Sequence, residues 1–370
     1  IKRGIIMKKI ISTLFAVFFL MGLFNSANAA TTFKCQTVLN AKGDEVKMLK
    51  DFTDNVTKLT SGSLKFEIMP AGTVVGVKET LDAVDKGLID CGFAWTHYWS
   101  GEHPAAMLFG SPVAGGGVGI DNIAFLSWFL MGGGEELYDR LWKEMDRDIK
   151  GFMLQPVGPE ALGWFPRKIK NMDDFRTFKF RTPPGIPGQT YKDIGIASVA
   201  MGGGDILPAL EAGTIDAAEW CCPKPDMVFG IHKVLKHYYL QGLHQVVVNA
   251  DFYINGSKYK KLSDHEKNAL KVAADASLMR SLAYRIKVNG EALKELTTKH
   301  GVILEDTPAD YFPEYMAAAK ATLEKNSKEN AFFKEVYDSM VNFANVAVPF
   351  WSGAQSSNAK LGMAYANSLK

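Results

Sequence analysis

The period of apolar and polar positions changes several times along the chain, and the changes mark out its elements. Thr32 to Asn40 reads as a first strand. Gly43 turns the chain, and Asp44 to Thr60 carries the three-to-four-residue apolar spacing of an amphipathic helix. Ser61-Gly62-Ser63 turns it again. Leu64-Lys65-Phe66-Glu67-Ile68-Met69 then alternates as a half-buried strand does. A helix over Thr73 to Val84, a helix-ending glycine at Gly87 and a short buried strand from Ile89 to Ala94 complete a β-α-β-α-β series, the start of an α/β lobe.

A similar series follows later. Phe178 to Thr182 alternates, Gln189 to Ile194 reads as a helix and Ser198 to Met201 as a strand. Asp205 is placed to cap a helix over Ile206 to Glu211, Gly213 ends it, and Ile215 to Ala218 forms the next strand. One local device recurs: Leu81 to Asp90 and Leu207 to Asp216 share the skeleton Leu-x-Ala-(Val/Leu)-(Asp/Glu)-x-Gly-x-Ile-Asp. In each copy a helix, a glycine stop and a strand deliver aromatics: Trp95, Tyr98 and Trp99 in the first, Trp220 in the second. Ligands of open α/β sheets sit at the C-terminal ends of strands, so two such ends facing each other predict a cleft between two lobes. Beyond these, Ser263-Asp264-His265-Glu266 is a capping box, and Lys267 to His300 carries a helical stripe. Asp310 to Lys325 and Phe332 to Ala347 read as helices. The tail from Phe350 is helical in pattern and suited either to its own lobe or to a partner subunit. Gly115 to Gly119 reads as a flexible loop; it lacks the Lys and Ser/Thr of a phosphate cradle.

Composition narrows the class. The chain has 370 residues, 47% of them hydrophobic, and a formal net charge of +2, so it can hold two lobes and shows no basic stripe for nucleic acid. Lys8 and Lys9 precede an apolar run from Ile10 to Leu23 and an Ala27-Asn28-Ala29 box. This predicts a secretory signal cut after Ala29 and a mature protein in the periplasm. The four cysteines, Cys35, Cys91, Cys221 and Cys222, fit small buried side chains or one bridge such as Cys35 to Cys91.

No H-E-x-x-H, G-x-S-x-G or C-x-x-C is present, and His97, His103, His232 and His237 have no partner at a recognisable spacing. Nothing builds a catalytic mechanism. A binding role has better support. Phe180-Arg181-Thr182-Pro183 sets an arginine at a strand end before a rigid turn, where its fork of donors fits a carboxylate; a surface ion pair is the other reading.

Phe180-Arg181-Thr182-Pro183-Pro184-Gly185, followed by the stretch from Gly203 to Trp220, closely resembles the substrate-binding proteins of TRAP (tripartite ATP-independent periplasmic) transporters, the DctP family. Tyr98 to Ala105 and Gly158 to Phe165 resemble its 2-oxo-acid-binding branch. The resemblance implies an α/β fold of two lobes that close around a cleft, with crossing strands, a long connecting helix and a helical C-terminus. The expected division is a signal peptide at 1–29 and lobe I at 30–153 with a returning segment near 221–247. Lobe II and the connecting helix take 154–220 and about 248–325, and a C-terminal helical segment takes 326–370. Arg181 is implied as the carboxylate clamp. A bridging cation, Na⁺ or Ca²⁺, is implied on Glu160, the Trp220 carbonyl and Gln245. Glutamate and glutamine are exchanged relative to the branch, but every donor is still an oxygen. The alternative is that Glu160 and Gln245 meet the ligand directly. Trp95, Tyr98, Trp99, Trp164, Phe165, Trp220 and Cys221 complete the expected pocket, with at most one of Trp164 and Phe165 facing it. His244 departs from the aromatic usual in the branch. The resemblance thus implies a non-enzymatic receptor for a small carboxylate, foremost a 2-oxo acid, that needs no organic cofactor and serves membrane permease subunits. Some relatives dimerise by exchanging C-terminal helices. A metal-independent receptor for a sugar acid, dicarboxylate or amino acid is the runner-up, and an exported enzyme the third.

Overall fold

Two sheets organise residues 30–368, the part of the chain that the computed structural model describes; the expected signal peptide lies outside it. The first lobe contributes β1 (Thr31–Thr37), β2 (Leu64–Met69), β3 (Cys91–Trp95) and β4 (Ile149–Val157). The second contributes β5 (Gly163–Phe165), β6 (Lys179–Thr182), β7 (Ala197–Ala200), β8 (Ala217–Ala218) and β9 (His237–Tyr239). The chain then returns to the first lobe as β10 (Val248–Asn255), and β11 (Ile303–Glu305) edges the second. The sheet orders are β2-β1-β3-β10-β4 and β11-β9-β5-β8-β6-β7.

The returning strand corrects the expected division. Residues 221–239 stay with the second lobe. It is Val248–Asn255 that re-enters the first, antiparallel between β3 and β4. This strand is buried at every position, so it shows no alternation, and its polar residues are paired inside: Asp251 with Thr96, Asn255 through Nδ2 with the Val84 carbonyl at 2.9 Å. The helix expected from Thr73 is confined to Thr80–Asp85. Gln36, buried on β1, holds the preceding backbone out of helical form: its Oε1 accepts from Val74 N at 2.7 Å and its Nε2 donates to Val75 O at 2.9 Å. Asp205 lies inside the first turn of Gly203–Glu211, with Gly202 at the cap position, so it is not the cap.

The repeated motif has one physical task in both lobes. Gly87 and Gly213 take left-handed backbone (φ +70° and +66°), which a side chain would strain. The aspartates that end the motif then tie neighbouring strands. Asp90 accepts Lys34 N at 2.6 Å and donates its own N–H to Lys34 O at 2.9 Å; Asp216 does the same with Lys179 N at 2.8 Å and Lys179 O at 2.9 Å. Each motif therefore fixes the next strand against the first of its sheet's pair.

Cys35 and Cys91 are register partners on β1 and β3 and are joined by a disulfide, which settles the sequence alternatives for that pair. The Gly115–Gly119 segment is not loose among the described residues: a Cβ at Gly115 would meet Ile120 O at 2.1 Å, and one at Gly117 the Lys320 backbone at 3.1 Å.

The lobes are joined by two crossing segments, 158–162 and 240–247, which touch through Glu160 N to Gln245 O at 3.0 Å. The helix Asp264–Lys299 opens on its capping box and runs about 54 Å at ~1.5 Å per residue. It packs on β4 and Asp44–Leu59 in the first lobe and on Pro223–Phe229 in the second. Tyr311–Glu329 packs on Ile186–Asp193, and Ala331–Ser368 packs on Asn122–Met131 and Gly134–Glu144. No helix among the described residues is long and apolar enough to cross a membrane.

Asp216→Ala removes the side-chain bond to Lys179 N and is expected to cost about 1 kcal/mol, read as a lower urea midpoint at unchanged m-value. Thr214→Ala, exposed in the same turn, should leave the midpoint in place.

Candidate functional site

Strand order brings three parallel ends together. Arg181 sits near the end of β6, between β7 and β8. The residues just past those neighbours supply its partners. Its Nε and Nη2 donate to Met201 O at 3.1 and 2.7 Å; its Nη1 donates to Glu219 O at 2.9 Å and to Glu219 Oε1 at 2.5 Å. Of the five guanidinium hydrogens, one on Nη2 is left. Arg181 is 4% exposed and Glu219 is fully buried, so this is a desolvated ion pair.

The crossing segments bring the remaining groups. Glu160 lies on the first, His244 and Gln245 on the second, all buried. His244 Nδ1 meets Tyr191 OH at 3.1 Å; Tyr191 OH meets Tyr311 OH at 3.2 Å, and that hydroxyl accepts Leu243 N at 3.1 Å. The relay turns His244 Nε2 toward the carboxylates, 3.4 Å from Glu219 Oε2 and 3.9 Å from Glu160 Oε2. These three atoms have no hydrogen-bond partner. Donor atoms of Glu160, Glu219 and His244 lie within 4.8 Å of one another. Gln245 donates through Nε2 to Ser111 Oγ at 3.0 Å, which leaves its carbonyl end to face other groups.

Burial raises the Glu160 carboxyl well above the ordinary range, and Glu219, Cys222 and Asp226 add to the rise while the Cys221 thiol opposes it. Asp226 is pushed up to about 7 by burial, against the bonds it accepts from Trp164 Nε1, Tyr238 OH and Cys221 N. A site that crowds carboxylates around one guanidinium is short of positive charge.

The aromatics divide. Trp220 is half-buried, its ring 4.4 Å from Phe229 and 5.4 Å from the Arg181 guanidinium. A Cβ at Gly203 would meet that indole at 2.5 Å, so glycine is required there. Tyr98 packs 5.3 Å from Trp95. Tyr98 is about half exposed; burial pushes its hydroxyl up to about 12, with Glu160 adding to the rise and Arg181 opposing it. Trp99, Trp164 and Phe165 belong to the core instead. Trp99 meets Tyr253 edge-on, Trp164 stacks on Tyr238 at 4.0 Å, and Phe165 lies among Phe175, Phe178, Phe180 and Tyr239. Trp164 and Phe165 do point to opposite faces, but both faces are packed. Cys221 stands at the edge of the site, partly exposed.

Glu219 and Tyr191 were not among the expected site residues. The signal for Glu219 is a carboxylate in the otherwise apolar run Ala217-Ala218-Glu219-Trp220, at a strand's C-terminal end. Tyr191 carries no such signal, since its role depends on a residue 53 positions away.

Residues 36–329 match the profile of the family described as bacterial extracellular solute-binding protein, family 7 (DctP). A monocarboxylate 2-oxoacid-binding periplasmic protein of Nostoc sp. is 29% identical over 287 residues, 76% of each chain. Among solved structures, a TRAP transporter solute-binding protein of Bordetella bronchiseptica superposes with a TM-score of 0.82 at 23% identity, over 92% of this chain and 100% of that one. It is a mixed-occupancy dimer with calcium and picolinate in one active site. A TRAP periplasmic solute-binding protein of Pseudoalteromonas atlantica, with sodium and pyruvate bound, gives 0.80 at 21% identity, over 90% and 99%.

Asp226 supplies a pH test. Between about pH 4 and about pH 7 the folded protein keeps a proton that the unfolded chain has lost, so this group's stabilising contribution is full below about 4 and gone by about 7. The melting temperature of the protein minus that of Asp226→Asn should therefore be largest near pH 4 and fall toward pH 7. A difference that stays level across this range would contradict the shift.

Proposed function

Because the chain belongs to family 7 of the bacterial extracellular solute-binding proteins (DctP), we propose that it is the periplasmic receptor of a TRAP transporter that captures a small carboxylate, foremost a 2-oxo acid, with a bridging Na⁺ or Ca²⁺. Members of this family bind solutes and do not turn them over. The observation that carries the finer reading is the set of three buried, unpartnered atoms on Glu160, Glu219 and His244 beside Arg181. Two buried carboxylates with free lone pairs are costly unless a cation or donor meets them.

The residues fit a hard cation. Glu160, Glu219, the Trp220 carbonyl and the carbonyl end of Gln245 are oxygen donors of the kind Na⁺ and Ca²⁺ take, whereas His244 is a softer ligand better suited to meet the solute. Bound there, a cation would supply the missing positive charge and a seat for the carboxylate and keto oxygens together. Arg181 gives the solute carboxylate its remaining N–H, or its full fork if Glu219 turns to the cation. Trp95, Tyr98 and Trp220 wall the solute's side chain. Relatives of this fold hold calcium or sodium with pyruvate or picolinate, which supports the pairing. Closure of the lobes would then present a surface to the permease subunits. On the last helix Val346, Phe350, Leu361, Met363 and Tyr365 are exposed, which suits a homodimer through that helix.

Thermal shift and calorimetry on ligand-stripped protein test this, with pyruvate as probe in Ca²⁺, in Na⁺, or in EDTA without sodium. Stabilisation should rise with the logarithm of pyruvate concentration and vanish without cation. Arg181→Lys should weaken binding roughly 10- to 100-fold. Glu160→Gln should remove most of the cation dependence. A shift with an α-amino acid in EDTA, and none with pyruvate, would mean that the two carboxylates hold an ammonium group instead.

A further inference from the structure

The proposed capture of a carboxylate leaves one pair of thiols at the edge of the site unused. Cys221 and Cys222 are both free thiols, and their sulfurs lie 3.0 Å apart, about 1 Å beyond the ~2.05 Å of a disulfide. Cys221 is partly exposed and Cys222 buried, and contact with Cys222 together with burial holds the Cys221 thiol well above its ordinary range, so exchange there is slow and calls for a small disulfide. The fold already contains a disulfide between Cys35 and Cys91, so it is built for surroundings in which disulfides persist.

The backbone around the pair is tied directly to the site. Cys221 O, on the peptide that joins the two cysteines, accepts Ala161 N at 2.7 Å, one residue from Glu160. Cys221 N, on the peptide that carries the Trp220 carbonyl, donates to Asp226 Oδ1 at 2.9 Å. Cys222 O accepts Asp226 N at 3.0 Å in the first turn of the helix Pro223–Phe229. A bond between adjacent cysteines closes a small ring through their shared peptide. That ring must twist the peptide, because bonded sulfurs demand a dihedral near ±90°. The twist would turn Cys221 O away from Ala161 and pull on the Cys221 N–H.

We propose that Cys221 and Cys222 are a redox-responsive pair: a small disulfide oxidises them to a vicinal disulfide, and ring closure weakens solute capture by moving Glu160 and the Trp220 carbonyl. The exchange is balanced. The Cys221 sulfur attacks the small disulfide, forming a mixed disulfide and releasing one thiol. The Cys222 sulfur then attacks the Cys221 sulfur and releases the second. Two electrons pass from the cysteine pair to the small disulfide, and the two thiol protons leave with the released thiols.

The test uses the mature protein in glutathione buffers of graded oxidised-to-reduced ratio, with three readouts. Alkylation and mass spectrometry should show the loss of two reactive thiols, both in the peptide that contains Cys221 and Cys222, and their return with dithiothreitol. Hydrogen exchange should quicken at Ala161 and Cys221 in the oxidised protein. The Kd for pyruvate in Ca²⁺ should rise at least ~10-fold on oxidation, about 1.4 kcal/mol. Cys222→Ser, which cannot close the ring, should stop at the mixed disulfide on Cys221, seen in the mass spectrum, and the double variant Cys221→Ser/Cys222→Ser should give one Kd at every ratio. Thiols that stay alkylatable in oxidised glutathione overturn the proposal, as does a ring that forms while exchange at Ala161 is unchanged. Only the affinity readout rests on the carboxylate-receptor reading. If pyruvate binds in neither buffer, that reading fails while mass and exchange still decide the fate of the pair.

Discussion

A buried guanidinium must have fixed partners, and much of the second lobe is arranged to give Arg181 its own. Leaving such a charge unpaired in a closed interior would cost several kcal/mol, of the order of 3–5 when one partner is removed. Parallel pairing of β6 with β7 on one side and β8 on the other brings Met201 O and Glu219 to either flank of Arg181. The strands can therefore be very short, two residues in β8, because their ends are bound by charge as well as by the ladder. The glycine at 203 follows from the same demand, since Trp220 must lie against it to cover the guanidinium.

Satisfying Arg181 with Glu219 leaves the opposite deficit. Glu160 and Asp226 are held in high-pKa states by burial, and His244 is aimed at two carboxylates by a tyrosine relay rather than by a charge. The second lobe contributes Arg181 and Glu219, and the segments that cross between lobes contribute Glu160, His244 and Gln245. None of these groups is paired as a nucleophile with its base.

How much of this could be read from the residues depends on how local each cause is. The repeated Leu-to-Asp motif, the capping box at Ser263 and the strand Leu64–Met69 are set by neighbours within a few positions, and they were legible. The strand Val248–Asn255 was not. It is covered on both sides, its polar side chains are bonded to helical segments that pack on the sheet, and so it carries neither alternation nor an unbroken apolar run. The helix drawn too long from Thr73 failed for a similar reason: the side chain that decides the matter, Gln36, is 38 residues away. At the site, Arg181 and Glu160 were marked by the company they keep in sequence. Glu219 carries a weak signal, a lone carboxylate in an apolar run, and its pairing with Arg181 follows only from β8 lying beside β6. Trp99, Trp164 and Phe165 are close to the site in sequence and are buried in the packing behind it.

The contact between Glu160 and Gln245 has a mechanical meaning. The two crossing segments touch there, so a rotation of one lobe against the other would have its fulcrum near that point. Groups close to a fulcrum travel little, and the far rims of the lobes travel several times farther. In the proposed receptor, a solute seated at the crossing would work on a short lever arm. A slight shift of the atoms around it would swing the outer faces through a large arc, and the proposed permease partner would sense those faces without touching the solute.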